Sequence, residues 1–191
     1  MSKPATLKLV MAVSKDGFLS MSRDDEMGWT GPEDKKVFRL LTSVGGVLGA
    51  GRRTFELLPV LKGRKVICLS TRKGMVQNAE ARIALDITRS GPSSVVPETA
   101  AYEATMSLGA FAFAHPGAWL IGGLTIAEEA LRIGLLDEVH LCRNHAVVGP
   151  YIDPQSGPTM DRLTPRLRRD ERWSLSEQTY HGIKVETWRR G

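Results

Sequence analysis

Hydrophobic positions fall in short blocks along most of the chain, and the period changes from block to block. LKLVMAVS (7–14), KVICLS (65–70) and AWLIGG (118–123) are apolar runs of strand length, the pattern of strands buried on both faces. GVLGAG (46–51) is a shorter run of the same kind that ends in a glycine turn. Between these runs the apolar residues take helical spacing. In GWTGPEDKKVFRLL (28–41), Val37, Phe38 and Leu41 share one face of a helix opened by Pro32. RRTFELL (52–58) predicts a short helix, and LTIAEEALRIG (124–134) an amphipathic helix closed by Gly134. ARIALDI (81–87) predicts a further strand and PETAAYEATMSLGA (97–110) a helix. DEVHLCRN (137–144), RWSLSEQ (172–178) and IKVETW (183–188) alternate with a period of two, and the last two read as an antiparallel hairpin at a sheet edge. Pro150, Pro154, Pro158 and Pro165 predict an irregular segment over residues 149–170.

Strands alternating with helices through residue 144 imply an α/β fold, with a mostly parallel central sheet flanked by helices and a C-terminal antiparallel hairpin. With 191 residues, no repeat and no linker, the expectation is a single domain spanning 1–191. In such sheets ligands bind beyond the carboxyl ends of the strands. That rule selects the loop at 15–31 leading to Asp34, and the turns GAGRR, STRKG and IGGLT.

Composition narrows the function classes. The net charge of +5 permits an anionic partner, but the basic stretch RLTPRLRRDERW (162–173) has acids interspersed and no nucleic-acid-binding motif accompanies it. A solvated basic surface outweighs a nucleic-acid groove. The first apolar run is interrupted by Lys8, and no stretch of 18 apolar residues follows, which predicts a cytoplasmic protein that does not span a membrane. Cys68 and Cys142 each sit in a strand-like run without CxxC spacing and read as buried thiols; no metal site is expected.

The candidate chemistry lies in the turns. GAGRRT (49–54) sets two glycines and two arginines where a strand hands over to a helix, so that backbone, free N–H groups and guanidinium forks can all meet a phosphate. LSTRKG (69–74) repeats the provision with Ser70, Thr71, Arg72 and Lys73. Two basic turns after neighbouring strands suit a ligand with an extra phosphate, such as the 2′-phosphate of NADP; each alone also reads as an ordinary polar turn. IGGLT (121–125) suits a pyrophosphate passing close to a helix start, or simply tight packing. The dinucleotide fingerprint with three glycines, the Walker A motif, HExxH and GxSxG are all absent. Asp34 is the singular residue. It precedes Val37, Phe38 and Leu41 by three, four and seven positions, which puts a carboxylate on the apolar helix face, whereas Glu33 alone would serve the helix dipole. A carboxylate there can accept two parallel hydrogen bonds from an amidine-like ring edge, with burial and the dipole pulling its pKa in opposite directions.

Taken together these motifs resemble the dihydrofolate reductase family. WTGPED resembles its W-x-x-P-x-[DE] motif, which implies Asp34 as the catalytic, substrate-binding carboxylate, with Trp29 and Phe38 beside the substrate. MAVSKDGFLS resembles the first strand and active-site loop, placing Val10, Ala12 and Leu19 against ligand and Met27 at the loop's end. Ile121 joins the substrate set, and Arg64 in KGRKVICLS takes the place of the arginine that holds the carboxylate of folate's glutamate. GAGRRTFE resembles the G-R-x-T turn, so Gly51, Arg52, Arg53 and Thr54 inherit cofactor contacts. Ser70, Thr71 and Arg72 match the segment around the 2′-phosphate, and Gly122 and Gly123 the glycine pair under the pyrophosphate; Ala12, Leu124 and Thr125 complete the cofactor set. Ala127 stands where an aromatic residue is usual, and Cys142 where a threonine is.

The resemblance implies an NADPH-dependent reductase of a 7,8-dihydropterin, dihydrofolate first. Dihydromethanopterin and a ribosylated aminopyrimidine of riboflavin biosynthesis are alternative substrates within the same superfamily. A non-catalytic nucleotide-binding protein is the reading from another class. The partner is a small molecule rather than nucleic acid or membrane, and monomer and homodimer are equally compatible with the sequence.

Overall fold

The computed structural model describes residues 6–22, 25, 27–44, 46–72, 75–77, 102–152 and 159–191. In chain order, its strands are β1 (Leu7–Val13), β2 (Phe18–Ser20), β3 (Val47–Gly51), β4 (Lys65–Leu69), β5 (Met75–Gln77) and β6 (Tyr102–Ala104). They continue with β7 (Trp119–Leu120), β8 (Leu136–Arg143), β9 (Thr159–Met160), β10 (Trp173–Tyr180) and β11 (Ile183–Arg190). The α-helices among the described residues are α1 (Gly31–Thr42), α2 (Arg52–Leu57), α3 (Leu108–Ala114), α4 (Leu124–Arg132) and α5 (Leu163–Arg169).

Seven strands form one sheet in the order β10-β11-β8-β1-β7-β3-β4. Pairings from β8 through β4 are parallel, and β11 and β10 join antiparallel. Alternation along β1 divides the core. Leu7, Leu9 and Val13 enter a cluster with Phe111 of α3, Ala127 and Ala130 of α4, and Leu163 and Leu167 of α5. Val10 faces the other way, packing with Val37 of α1, Leu48, Cys142 and Val185. Phe55 of α2 packs on Ala50 and Cys68. Both cysteines are buried and neither is in a disulfide, as expected.

The α/β fold, the parallel centre and the C-terminal hairpin follow the sequence pattern. The hairpin closes through His181 and Gly182 at φ 49° and 81°, the paired positive φ values of a tight two-residue turn. Three expectations need correction. The strand in 118–123 covers only Trp119–Leu120; beyond it Ile121 N still donates to Gly49 O at 2.9 Å, and the glycine pair follows, with Gly122 at φ 120°. Within 97–110, Tyr102–Ala104 is a strand paired to β5, and the helix begins only at Leu108, where Ser107 Oγ accepts from Ala110 N at 3.2 Å. Residues 97–101 and the expected strand at 81–87 lie outside the described residues. The segment 149–170 is not wholly irregular: it contributes β9 and α5.

Pro165 does not oppose α5, since it sits in the first turn where a backbone N–H has no helical acceptor. Asp161 Oδ1 accepts from the N–H groups of Leu163 and Thr164 at 3.0 and 3.1 Å, serving the free donors. Arg143 ties this helix to the sheet, donating to both oxygens of Glu186 at 3.0 and 2.9 Å and to Thr164 Oγ1 at 2.9 Å.

Candidate active site

Because β1, β7, β3 and β4 run parallel, their carboxyl ends lie on one side, and there they open into a cleft of about 1860 Å³. Of the residues expected against substrate, Val10, Ala12, Leu19, Met27, Asp34, Phe38, Arg64 and Ile121 line it. Of those expected against cofactor, Gly51, Arg52, Arg53, Thr54, Ser70, Thr71, Arg72, Gly122, Gly123, Leu124 and Thr125 line it as well. Trp29 does not. Its indole instead donates to Asp25, which does line the cleft, at 2.9 Å.

Asp34 sits in the first turn of α1 and is buried, as its place on the apolar face requires. Oδ1 has no hydrogen-bond partner among the described residues. Burial raises its pKa to about 6, against the opposing influence of the Thr30 hydroxyl and the Lys35 charge. Desolvation therefore outweighs the Thr30 hydrogen bond and the Lys35 charge here. Glu33, in the same turn, turns outward to Lys36 Nζ at 2.9 Å. Cys142 shares the cleft wall, its thiol pKa raised by burial and then by the Asp34 charge.

The turn that aims Asp34 is held from far along the chain. Buried Asn144 donates through Nδ2 to the Thr30 carbonyl at 2.6 Å, while its backbone N–H donates to Val13 O at 2.7 Å. Asn144 thus fastens the start of α1 to the ends of β1 and β8. On the loop between β1 and α1, Asp25 accepts from Met21 N and Met27 N, both at 2.7 Å. Asp16 ties the beginning of the same loop to the segment after β8, accepting from Gly149 N at 2.7 Å.

At the opposite wall, Gly51 N donates to Gly122 O at 2.8 Å, which brings the turn after β3 against the glycine pair after β7. A Cβ on Gly51 would lie 3.1 Å from Ile126 Cγ1 and 3.4 Å from Gly123 N, so the close approach depends on glycine. Arg52 Nε is buried without a hydrogen-bond partner among the described residues. A buried guanidinium N–H left open, a tight glycine cradle and the hydroxyl and guanidinium groups of Ser70, Thr71 and Arg72 fit a phosphorylated dinucleotide.

Near the C-terminal half of α1, Arg64 donates to Thr42 Oγ1 at 2.7 Å and its guanidinium carbon lies 5.3 Å from the Phe38 ring centroid. Burial and then the neighbouring Arg39 charge lower its pKa. Arg39 also lines the cleft, so two like charges face one region with no carboxylate paired to either among the described residues.

The model of the family described as dihydrofolate reductase matches residues 6–148. The chain belongs to the dihydrofolate reductase family. The oxidoreductase reading with dihydrofolate as substrate stands on that membership, and the dihydromethanopterin, aminopyrimidine and non-catalytic readings are not needed. Among solved structures, a dihydrofolate reductase from Enterococcus faecalis complexed with NADP(H) and RAB-propyl is similar, with a TM-score of 0.59 and 17% sequence identity. The similarity covers 100% of this chain and 99% of that one, and at this identity it speaks for the fold. Comparison with curated proteins gives no match.

Sequence reasoning missed four residues of this cleft or its support. Asn144 acts through the main chain of a residue distant in sequence, and Arg39 lies on the helix face that looks solvated. Asp25 and Arg162 were passed over as loop charges. The W-x-x-P-x-[DE] motif, by contrast, singled out the buried carboxylate directly.

Proposed function

We propose that Asp34 carries the reduction of 7,8-dihydrofolate by NADPH in this cleft, with the turns at Gly51–Thr54, Ser70–Arg72 and Gly122–Thr125 holding the cofactor. The supporting observation is a buried carboxylate with an open Oδ1 in the same cleft as a basic, glycine-rich wall. When held by these turns, NADPH would supply a hydride for C6 of the substrate, with water giving the proton that N5 gains.

The chain's own residues bind and orient. Asp34, ionised above about pH 6, accepts hydrogen bonds from N3 and the 2-amino group of the pterin. Its negative charge favours the protonated ring, and fixing the ring edge sets C6 against the cofactor wall. Val10, Leu19, Phe38 and Ile121 enclose the ring and exclude water, and Met27 closes the loop side. Arg64 pairs with the α-carboxylate of the glutamate tail. Arg52, Arg53, Thr71 and Arg72 select the 2′-phosphate and hence NADPH over NADH.

The chain is read as one domain, since the sheet draws strands from Leu7–Val13 through Ile183–Arg190. No helix among the described residues is long and apolar enough to cross a membrane, and a cytoplasmic location is part of the proposal.

Replacing Asp34 by Asn tests the assignment. Turnover of dihydrofolate should drop by about 10²–10³-fold, the usual scale for losing one preorganised electrostatic partner. NADPH affinity, measured by fluorescence titration, should stay within about twofold of the parent, because the phosphate turns lie on the other wall. Unchanged turnover would remove Asp34 from the reaction.

A further inference from the structure

Arg162 belongs to none of the turns that sequence motifs select, and it lies beyond residues 6–148 of the family match. Yet it lines the same cleft as Gly123, Leu124 and Thr125. Its Nη2 meets Glu128 Oε2 at 3.1 Å. Glu128 stands four residues after Leu124 and three after Thr125, so all three share a face of α4, with neighbouring Cβ atoms about 5–6 Å apart. The guanidinium is therefore held within roughly one helical turn of the start of α4.

Its surroundings fix it there. The β2-β9 ladder pairs Ser20 with Thr159, bringing the segment that carries Arg162 against the active-site loop. Asp161 accepts from Arg143 Nη1 at 3.3 Å, which pins the residue before it in the chain to β8. Arg166, one turn along α5, meets the other Glu128 oxygen at 3.3 Å. One carboxylate between two guanidiniums leaves a net positive charge, and of the two arginines only Arg162 faces the cleft.

We propose that Arg162 is a cofactor-binding residue that grips the diphosphate of NADPH from the C-terminal segment of the chain. The inference rests on the reading of Gly122–Thr125 as the diphosphate turn. Position in the sheet separates this role from recognition of the 2′-phosphate. The turns with Arg52 and Arg72 follow β3 and β4, on the far side of β7, whereas Arg162 stands on the β1 side beside the β2-β9 ladder. The first turn of α4 holds no cation of its own, and its basic residue, Arg132, is at the other end. A guanidinium supplied from Arg162, just before α5, meets that lack with forked donors suited to a diphosphate.

The test is binding of NADPH and of NADH to the full chain, followed by fluorescence, for the parent, R162Q, R162K, R166Q and R72Q. R162Q should weaken both dinucleotides by about tenfold, the scale of one charge-assisted hydrogen bond. R162K, which keeps the charge without the fork, should fall between. R166Q, which removes the longer ion pair to the same Glu128 outside the cleft, should stay within twofold. R72Q should weaken NADPH alone, and dihydrofolate affinity in R162Q should be unchanged. NADPH binding to R162Q within twofold of the parent would overturn the proposal. So would equal losses in R162Q and R166Q, which mark a structural clamp, or an R162Q loss confined to NADPH. A parent chain that binds neither dinucleotide would overturn the underlying cofactor reading, and this proposal with it.

Discussion

The Trp29 indole donates its Nε1 proton to Asp25 Oδ2 at 2.9 Å, across four residues of the loop that borders the cleft. The same carboxylate receives the backbone N–H groups of Met21 and Met27, so one side chain gathers three donors from the part of the loop that follows β2. Trp119, Trp173 and Trp188 are buried in the core, which leaves Trp29 as the tryptophan able to report on this clasp. Asp25→Ala should make Trp29 more accessible to acrylamide quenching. It should also lower kcat/KM about tenfold, equivalent to about 1.4 kcal/mol, through loss of loop order around Met27. Quenching and kinetics identical to the parent would dissociate the clasp from the site.

Asp34 opposes folding in the ionised form that the proposed function requires. Its folded-state pKa is about 6 against an ordinary 3.8, so between those values the folded chain holds more protons than the unfolded chain. The cost of ionising the buried group is complete above about pH 6 and is relieved as pH falls through 6 towards 3.8. Its size is of order 2–3 kcal/mol, from 1.36 kcal/mol per pKa unit. Asp34→Asn should therefore be more stable than the parent by about 2 kcal/mol at pH 8, with the difference shrinking towards pH 4. Urea denaturation at three pH values checks both sign and trend. A variant less stable at pH 8 would show that the carboxylate is satisfied in the free protein.

Arg64 is positioned by Thr42 and Phe38 rather than by an acid, which leaves its charge available to a ligand. Arg39 beside it raises the cost of keeping both cations unpaired. Arg64→Gln should raise the KM for dihydrofolate by at least about tenfold, because a hydrogen bond to a charged group is worth about 1.5–3 kcal/mol. The KM for a dihydropterin lacking the glutamate tail should not change. An equal rise for both substrates would mean that Arg64 shapes the ring pocket through Phe38 instead.

Legibility in the sequence followed the range of the interaction. The strand and helix pattern came through because side-chain alternation is local, as in β1, where Leu7 and Leu9 face one cluster and Val10 the other. Asp34 came through because a carboxylate inside an apolar helical arc conflicts with its neighbours, and the conflict can be seen within ten residues. Asn144 holding Thr30 across 114 positions leaves no such trace, since neither residue is unusual where it stands. Helix α5 was hidden for another reason. Pro165 reads as a breaker unless its position in the first turn is known, and that position depends on Asp161 serving the N–H groups of Leu163 and Thr164. Arg162 was visible only as one cation in a basic run, because its distinction from Arg166 is a matter of which side of Glu128 it occupies.

Two glycines on one strand should respond differently to the same substitution. A Cβ on Gly49 would lie 2.8 Å from Leu69 Cδ1 and 2.9 Å from the Phe111 ring, and Phe111 is fully buried. Gly49→Ala should thus cost about 1–3 kcal/mol of stability as an overpacked core, with cofactor affinity nearly unchanged. At Gly51 the nearest atoms are Ile126 Cγ1 and the backbone of Gly123, at the wall assigned to the cofactor. Ile126 is only partly buried and can give way, so Gly51→Ala should cost less stability than Gly49→Ala. It should nonetheless widen the gap that the Gly51 N to Gly122 O bond closes at 2.8 Å, and weaken NADPH binding about tenfold. Denaturation and NADPH titration of both variants separate the two effects. If Gly51→Ala loses stability without affinity, the glycine pair serves packing and the cofactor lies elsewhere in the cleft.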